Sequence, residues 1–150
     1  MITVYQNGQL HFQNKIYKCA IGRNGIKKNK IEGDGCTPAG TYSLGPLYYR
    51  SDRIRKLKTY FNAIPIKKDM FWSDHPQSEH YNKLIRFKDS SYENLYKENH
   101  TYDIILVINY NVSPIIKGKG SAIFIHLAKK DFSPTSGCIA LKKKCIFEIL

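Results

Sequence analysis

The chain has 150 residues, 42% hydrophobic and 13% aromatic, enough to bury the core of one domain and too apolar for a disordered segment. Lys and Arg number 24 against 12 Asp and Glu, a net charge of +12 that draws the protein toward polyanions. The lysines are scattered and no nucleic-acid motif accompanies them, so no nucleic-acid function is expected, and no apolar run reaches the ~18 residues of a membrane span.

Met1-Ile2-Thr3-Val4 begins directly with strand-like sequence. No basic stretch followed by a long apolar run precedes it, so no signal peptide is expected. Val4-Tyr5 and Leu10-His11-Phe12 flank Asn7-Gly8, a strong hairpin signal. Lys15 to Ile21 reads as a strand and Gly22 to Gly25 as a turn. Glu32 to Gly40 carries three glycines and a proline, too many for a regular element. Its Glu32 and Asp34 read as scaffold carboxylates that accept backbone N–H groups.

Tyr49-Arg50-Ser51-Asp52-Arg53 follows, either an ion-paired surface turn or a guanidinium fork for a substrate carboxylate. The stretch Met70 to Asn82 holds the only tryptophan, Trp72. Its Asp74, His75, Glu79 and His80 lack ligand spacing and Pro76 interrupts any helix, so no metal site is expected. Ser90 to Asn99 is the predicted helix, with Ser90 as cap and Glu93 completing a capping box. Ile104 to Ile108 is a continuous apolar strand, predicted to be buried on both faces. Turns at Ser113-Pro114 and Lys117 to Gly120 lead into a further strand, Ala122 to His126.

Gly120 to Leu141 carries the chemistry. An apolar run ends in His126, a polar loop follows, and Ser136-Gly137-Cys138 opens a second apolar run. A thiolate is a strong nucleophile, and a nearby imidazole can take its proton and hold the anion as an ion pair. Glycine before the cysteine lets a substrate carbonyl approach main-chain N–H groups. Cys138 is therefore expected to be free and to be the thiol most readily alkylated at neutral pH. Among the other cysteines, a Cys19–Cys36 disulfide stays open and Cys145 reads as core packing.

These residues resemble the catalytic segment of the L,D-transpeptidase catalytic-domain (YkuD-type) family: a histidine, a loop, then Ser/Thr-x-Gly-Cys. The matching residues are His126, Thr135-Ser136-Gly137 and Cys138. The similarity extends over nearly the whole sequence and is closest to a small single-domain branch. It includes Glu32 to Gly40, Tyr49 to Arg53, Trp72-Ser73-Asp74-His75-Pro76 and Tyr81-Asn82.

The resemblance implies one domain over residues 1–150, mainly β, with two packed curved mixed sheets, one short helix and a cleft over the cysteine. It also implies acyl transfer on peptidoglycan stem peptides at an L-to-D junction, through a thioester. Cys138 would be the nucleophile, His126 the base, and the backbone around Gly137 and Cys138 the oxyanion donor, with no metal or organic cofactor. Thr135, Ser136 and Trp72 would contact substrate.

The wider family places an arginine two residues after its cysteine, where this protein has Ile139-Ala140-Leu141. Arg50 or Arg53 is therefore the expected carboxylate anchor, with Arg23 and Lys142 next. The basic surface would meet anionic wall polymer, a monomer is expected, and the substrate implies a periplasmic or extracellular site of action. Without a visible leader, a cytoplasmic one stays open. So do an L,D-carboxypeptidase, endopeptidase or toxin-type hydrolase, a cysteine transferase on a cytoplasmic amide, and a basic binding module.

Overall fold

The structure, a computed structural model, describes residues 1–150. In sequence order the strands are β1 (Ile2–Val4), β2 (Gln9–Phe12), β3 (Lys15–Ala20), β4 (Ile26–Lys27), β5 (Thr37–Pro38), β6 (Leu44–Tyr49) and β7 (Ala63–Pro65). They continue with β8 (Phe71–Ser73), β9 (Leu84–Ile85), β10 (Tyr92–Asn94), β11 (Ile104–Ile108), β12 (Phe124–Leu127) and β13 (Ile139–Leu141), and helix α1 (Lys143–Ile149) comes last. An eight-stranded mixed sheet runs β1-β2-β3-β13-β12-β11-β6-β7, and a three-stranded sheet runs β10-β8-β9. The expected hairpin forms, with β1 antiparallel to β2 and Val4 opposite Leu10.

Period-two alternation builds two cores from one sheet. On β11, Ile104, Leu106 and Ile108 join one buried cluster, while Ile105 and Val107 join the other, so the strand is buried on both faces. The first cluster also receives Ile2 and Val4 from the edge strand β1 and Ala63 from the opposite edge strand β7. The large sheet therefore curls until its ends share one core, and Ile146 and Ile149 of α1 close that core. On the other face the small sheet lays Met70 and Trp72 against Tyr48, Ile105, Val107 and Phe124. The result is mainly β, as the strand-like runs predict, and layered, as the resemblance implies, although the small sheet is wholly antiparallel rather than mixed.

The one helix is not where it was expected. Ser90 to Asn99 forms strand β10 and turns, because Tyr92 pairs with Ser73 and sets its ring edge-on to Phe71, with centroids 5.0 Å apart. The Asn94 side chain accepts the Tyr96 N–H at 2.9 Å, a local bond that competes with helix formation. The helix occupies 143–149 instead, where the lysine run reads as solvated surface but Ile146 and Ile149 are three residues apart and fall on one buried face. No helix is long and apolar enough to cross a membrane.

That helix supplies a prediction about stability. Ile146 is 1% exposed and its neighbour Phe147 36%. Ile146→Ala should destabilise the protein by about 2–4 kcal/mol, the cost of a core truncation, while Phe147→Ala should cost under about 1 kcal/mol. Thermal unfolding of the two variants checks this. Equal losses would contradict the inward placement of Ile146.

Candidate active site

The strands β12 and β13 run parallel, with Ile125 opposite Ile139 and His126 opposite Ala140. This register makes Cys138, just before β13, the lateral neighbour of Phe124. His126, two residues farther along β12, is its diagonal neighbour, at a Cα separation of roughly 7–8 Å that side chains can bridge. Tyr102 packs beside both: it shares the buried cluster of Phe124 and Cys138, and its ring centroid lies 5.2 Å from the His126 imidazole.

The turn that presents the nucleophile is held from several sides. Thr135 Oγ1 donates to the Cys138 carbonyl at 2.6 Å and accepts the Gly137 N–H at 3.1 Å. Thr37 Oγ1 donates to the Gly137 carbonyl at 2.8 Å, which ties in the glycine-rich loop. Gly137 has φ +148°, and a Cβ there would lie 2.8 Å from the Cys36 carbonyl oxygen. Only glycine fits without moving the main chain.

Cys138 is 9% exposed. Its thiol donates to the Ala122 carbonyl at 3.2 Å and accepts the Phe124 N–H at 3.4 Å. His126 is not among its partners. Burial pushes the thiol up to about 12, with Glu93 adding to the rise and the Phe124 N–H, Lys97 and Lys30 working against it. Burial likewise pulls the His126 imidazole down to about 4, aided by Lys97 and Lys129 and opposed by the Leu127 carbonyl. The imidazole Nδ1 lies 3.0 Å from that carbonyl. A carbonyl only accepts, so Nδ1 carries the proton and Nε2 is the basic nitrogen. The resting pair is thus a neutral thiol and a neutral imidazole. The expected thiolate–imidazolium pair is not formed, because both groups are desolvated and are held by the main chain rather than by each other.

Cys138 lies in the wall of a cleft of about 250 Å³. Arg23, Lys30, Ser136 and Gly137 line the cleft, together with Glu32, Asp74, Glu93 and Tyr102. A larger cavity of about 590 Å³ lies on the other face of β12 and β13, lined by Ile123, Ile125 and Ile139 among others. It contains no thiol, imidazole, carboxylate or cationic side chain, so the smaller cleft is the chemical one.

Several expected site residues stand elsewhere. Arg50 is 4% exposed; it grips Asp52 with two bonds of 2.8 and 2.7 Å and stacks on Tyr96. That ion pair lowers the Asp52 carboxyl to about 2. Arg53 is spent on Asp103 at 2.7 Å and on the carbonyls of Glu98 and Asn99. Neither lines the cleft, so neither is the carboxylate anchor expected of it; both brace the β6–β7 connection against the 97–103 turn. Trp72 is also behind the wall. It is 7% exposed, packs edge-on against Phe124 at 5.1 Å, and donates to Asn82 Oδ1 at 2.9 Å. Thr135 shapes the turn, while Ser136 faces the cleft and accepts a bond from Arg23 at 3.2 Å.

Asn82, which the sequence marks only as part of a matching Tyr-Asn motif without a role, is a hub. Its Oδ1 also accepts the Ala122 N–H, and its Nδ2 donates to the carbonyls of Tyr110 and Asn111. It thereby fixes the residue whose carbonyl holds the thiol. Asp34 accepts the N–H groups of Ile31 and Cys36, as expected of a scaffold carboxylate. Burial works to raise its carboxyl, but Lys30 and those two N–H groups hold it down at about 2. Glu32 instead accepts the hydroxyls of Tyr81 and Ser121. All four cysteines are free, so Cys19 and Cys36 form no disulfide.

The sequence model of one protein family, described as the L,D-transpeptidase catalytic domain (YkuD), matches residues 1–150. No curated protein and no solved structure matches the sequence.

Two outcomes follow from the desolvated pair. At pH 7, iodoacetamide should modify Cys145, the one cysteine that is not buried, ahead of Cys138, and Cys138 labelling should keep rising with pH through the alkaline range instead of levelling off where an ordinary thiol does. Peptide mapping after timed labelling reads this, and fast Cys138 modification at pH 7 would contradict the neutral resting state. In acid, the unfolded protein takes up a proton on His126 from about pH 6.5 downward, while the folded protein refuses it until about pH 4. Stability should therefore fall as the pH drops through that window, by an amount of order 3 kcal/mol. Urea unfolding from pH 7 to 4 checks it, and His126→Gln should flatten the slope.

Proposed function

The chain belongs to the L,D-transpeptidase catalytic-domain family, and on that premise we propose that it transfers the acyl part of peptidoglycan stem peptides through a thioester on Cys138. What carries this reading is one thiol in the cleft wall with, diagonal to it across two parallel strands, one imidazole whose Nδ1 is fixed by the Leu127 carbonyl. That bond leaves Nε2 as a base at the diagonal position.

The Cys138 sulfur attacks the carbonyl at the L-to-D junction and its proton passes to His126 Nε2. The tetrahedral oxyanion needs donors. The Gly137 N–H is engaged by Thr135, which leaves the Cys138 N–H as the backbone donor. The C–N bond then breaks, and the imidazolium gives its proton to the departing D-amino acid. An incoming amine next attacks the thioester and loses a proton to His126, and the sulfur leaves and is protonated again. Because the resting pair is neutral, substrate has to draw the thiol away from the Ala122 carbonyl before proton transfer, so chemistry waits on binding.

The substrate lies in the wall outside the cytoplasmic membrane, and the +12 surface suits a protein held against anionic polymer there.

The test is incubation with a tetrapeptide stem, with and without an added D-amino acid, followed by mass spectrometry of the products. Release of the terminal residue together with incorporation of the added amine is expected. Release without incorporation would make the protein a carboxypeptidase, and no release at all would contradict the reading. Cys138→Ala should abolish turnover by three orders of magnitude or more while shifting Tm by only a few degrees.

A further inference from the structure

The cleft is electrically divided. Glu32, Asp74 and Glu93 supply carboxylates, and Arg23 and Lys30 supply cations that border Ser136 and Gly137. Every other arginine except Arg55 has a carboxylate within salt-bridge distance: Arg50 has Asp52, Arg53 has Asp103 and Arg86 has Asp69. Arg23 has none. It is exposed at the rim, and its one side-chain hydrogen bond goes from an Nη to the Ser136 hydroxyl. A guanidinium has five N–H donors in a planar fork, so most of this fork is uncommitted and open to the cleft.

Lys30 is the unusual partner. It is 3% exposed, yet it lines the same cleft. Its stem passes under Gly120, where a Cβ would lie 2.8 Å from Lys30 Cε. Its Nζ lies 3.6 Å from where a Cβ of Gly137 would be. Two glycines thus make room for one buried ammonium beside the residue that precedes the nucleophile. Nζ has three donors and a single hydrogen-bond partner, Asp34 Oδ1 at 2.7 Å. Asp34 offsets the charge of Lys30, so Lys30 contributes fixed N–H donors and Arg23 contributes the net charge.

We infer that Arg23 at the rim and Lys30 behind it form a carboxylate subsite on the Ser136–Gly137 side of the cleft, which orients an acyl donor across Cys138. The inference rests on the reading of the protein as an acyltransferase on peptides. The chemistry recognised is a carboxylate, because a planar fork and a nearby ammonium satisfy both its oxygens. The three acids elsewhere in the cleft repel an anion, so a carboxylate has one place to go. A stem peptide offers it from two sources, the carboxylate of a diamino dicarboxylic residue and the terminal carboxylate of the peptide.

The experiment compares one stem peptide with two amidated forms, one blocked at the diamino-acid carboxylate and one at the terminal carboxylate. Calorimetric binding to Cys138→Ala protein reads recognition without turnover, and kcat/KM with the unaltered nucleophile reads catalysis. One of the two amidations should weaken binding roughly tenfold or more, as expected for a charge-assisted pair. In Arg23→Gln, the acid and that amide should bind within about twofold of each other. The sensitive amide identifies the source of the carboxylate. Arg23 is exposed, so its variant should keep the fold; Lys30→Met, checked by its melting curve, should reduce the same ratio in part. An arginine with only a structural role would lower acid and amide alike and leave their ratio unchanged. An unchanged ratio in Arg23→Gln, or equal binding of all three peptides to the parent protein, overturns the subsite. Normal turnover with an unchanged ratio sinks the subsite and leaves acyl transfer standing. An Arg23-dependent binding preference with no turnover of any stem does the reverse.

Discussion

Side-by-side parallel pairing of Phe124–Leu127 with Ile139–Leu141, with Ile125 opposite Ile139, decides which side chains meet in this protein. Each strand alternates, so Ile123, Ile125 and Ile139 go to the interior of the curled sheet while Phe124, His126 and Cys138 go to the other face. A slip of one residue would send the thiol into the apolar interior and an isoleucine into the cleft. Much of the surrounding polar structure guards against that slip. Thr135 and Thr37 fasten the Gly137–Cys138 turn. Asn82 fastens Ala122, which in turn holds the thiol. Buried polar groups of this kind are costly if unmatched, so a complete set of partners enforces a single arrangement.

Burial also sets the electrostatics. In water the ordinary values of a thiol and an imidazole lie about two units apart, a gap that a close opposite charge can offset. Here both lie under Tyr102 and the small sheet, and desolvation moves them apart, the thiol to about 12 and the imidazole to about 4. The neutral forms are the ones that the backbone accommodates: a thiol that donates to Ala122 and an imidazole that donates to Leu127. Such a nucleophile is protected from casual alkylation and oxidation, since both need thiolate.

Much of this was legible in the sequence where local chemistry and fold agree. The Asn7-Gly8 hairpin and the buried run Ile104 to Ile108 carry signals that depend on near neighbours in sequence; the stretch from Glu32 to Gly40 does so only in part, since Thr37–Pro38 forms β5 by pairing with Ile26–Lys27. Asp34 was legible as a scaffold acid through near neighbours as well. What sequence reasoning missed depends on partners far away in sequence. Tyr92 to Asn94 has helix-compatible neighbours but is recruited as a strand by Phe71 and Ser73. Arg50 and Arg53 look like free forks in a short motif, until the fold brings the 97–103 turn against them and occupies their donors. Arg23 ranks in the sequence only behind Arg50 and Arg53 because it carries no motif of its own, and the bridge that sets Gly22 beside Thr135 is what brings it to the cleft. Trp72 is misread for a related reason: its indole N–H finds Asn82, which leaves the ring as packing.

The most direct test of the central claim is to look for the acyl-enzyme itself. Intact-mass spectrometry of the protein, quenched in acid after mixing with a tetrapeptide stem and no acceptor, should show a single adduct. Its mass should equal the donor less its terminal amino acid, and peptide mapping should place it on Cys138. Hydroxylamine should remove it, as expected of a thioester. Release of the terminal amino acid with no such adduct, or an adduct on another residue that persists in Cys138→Ala, would contradict the account.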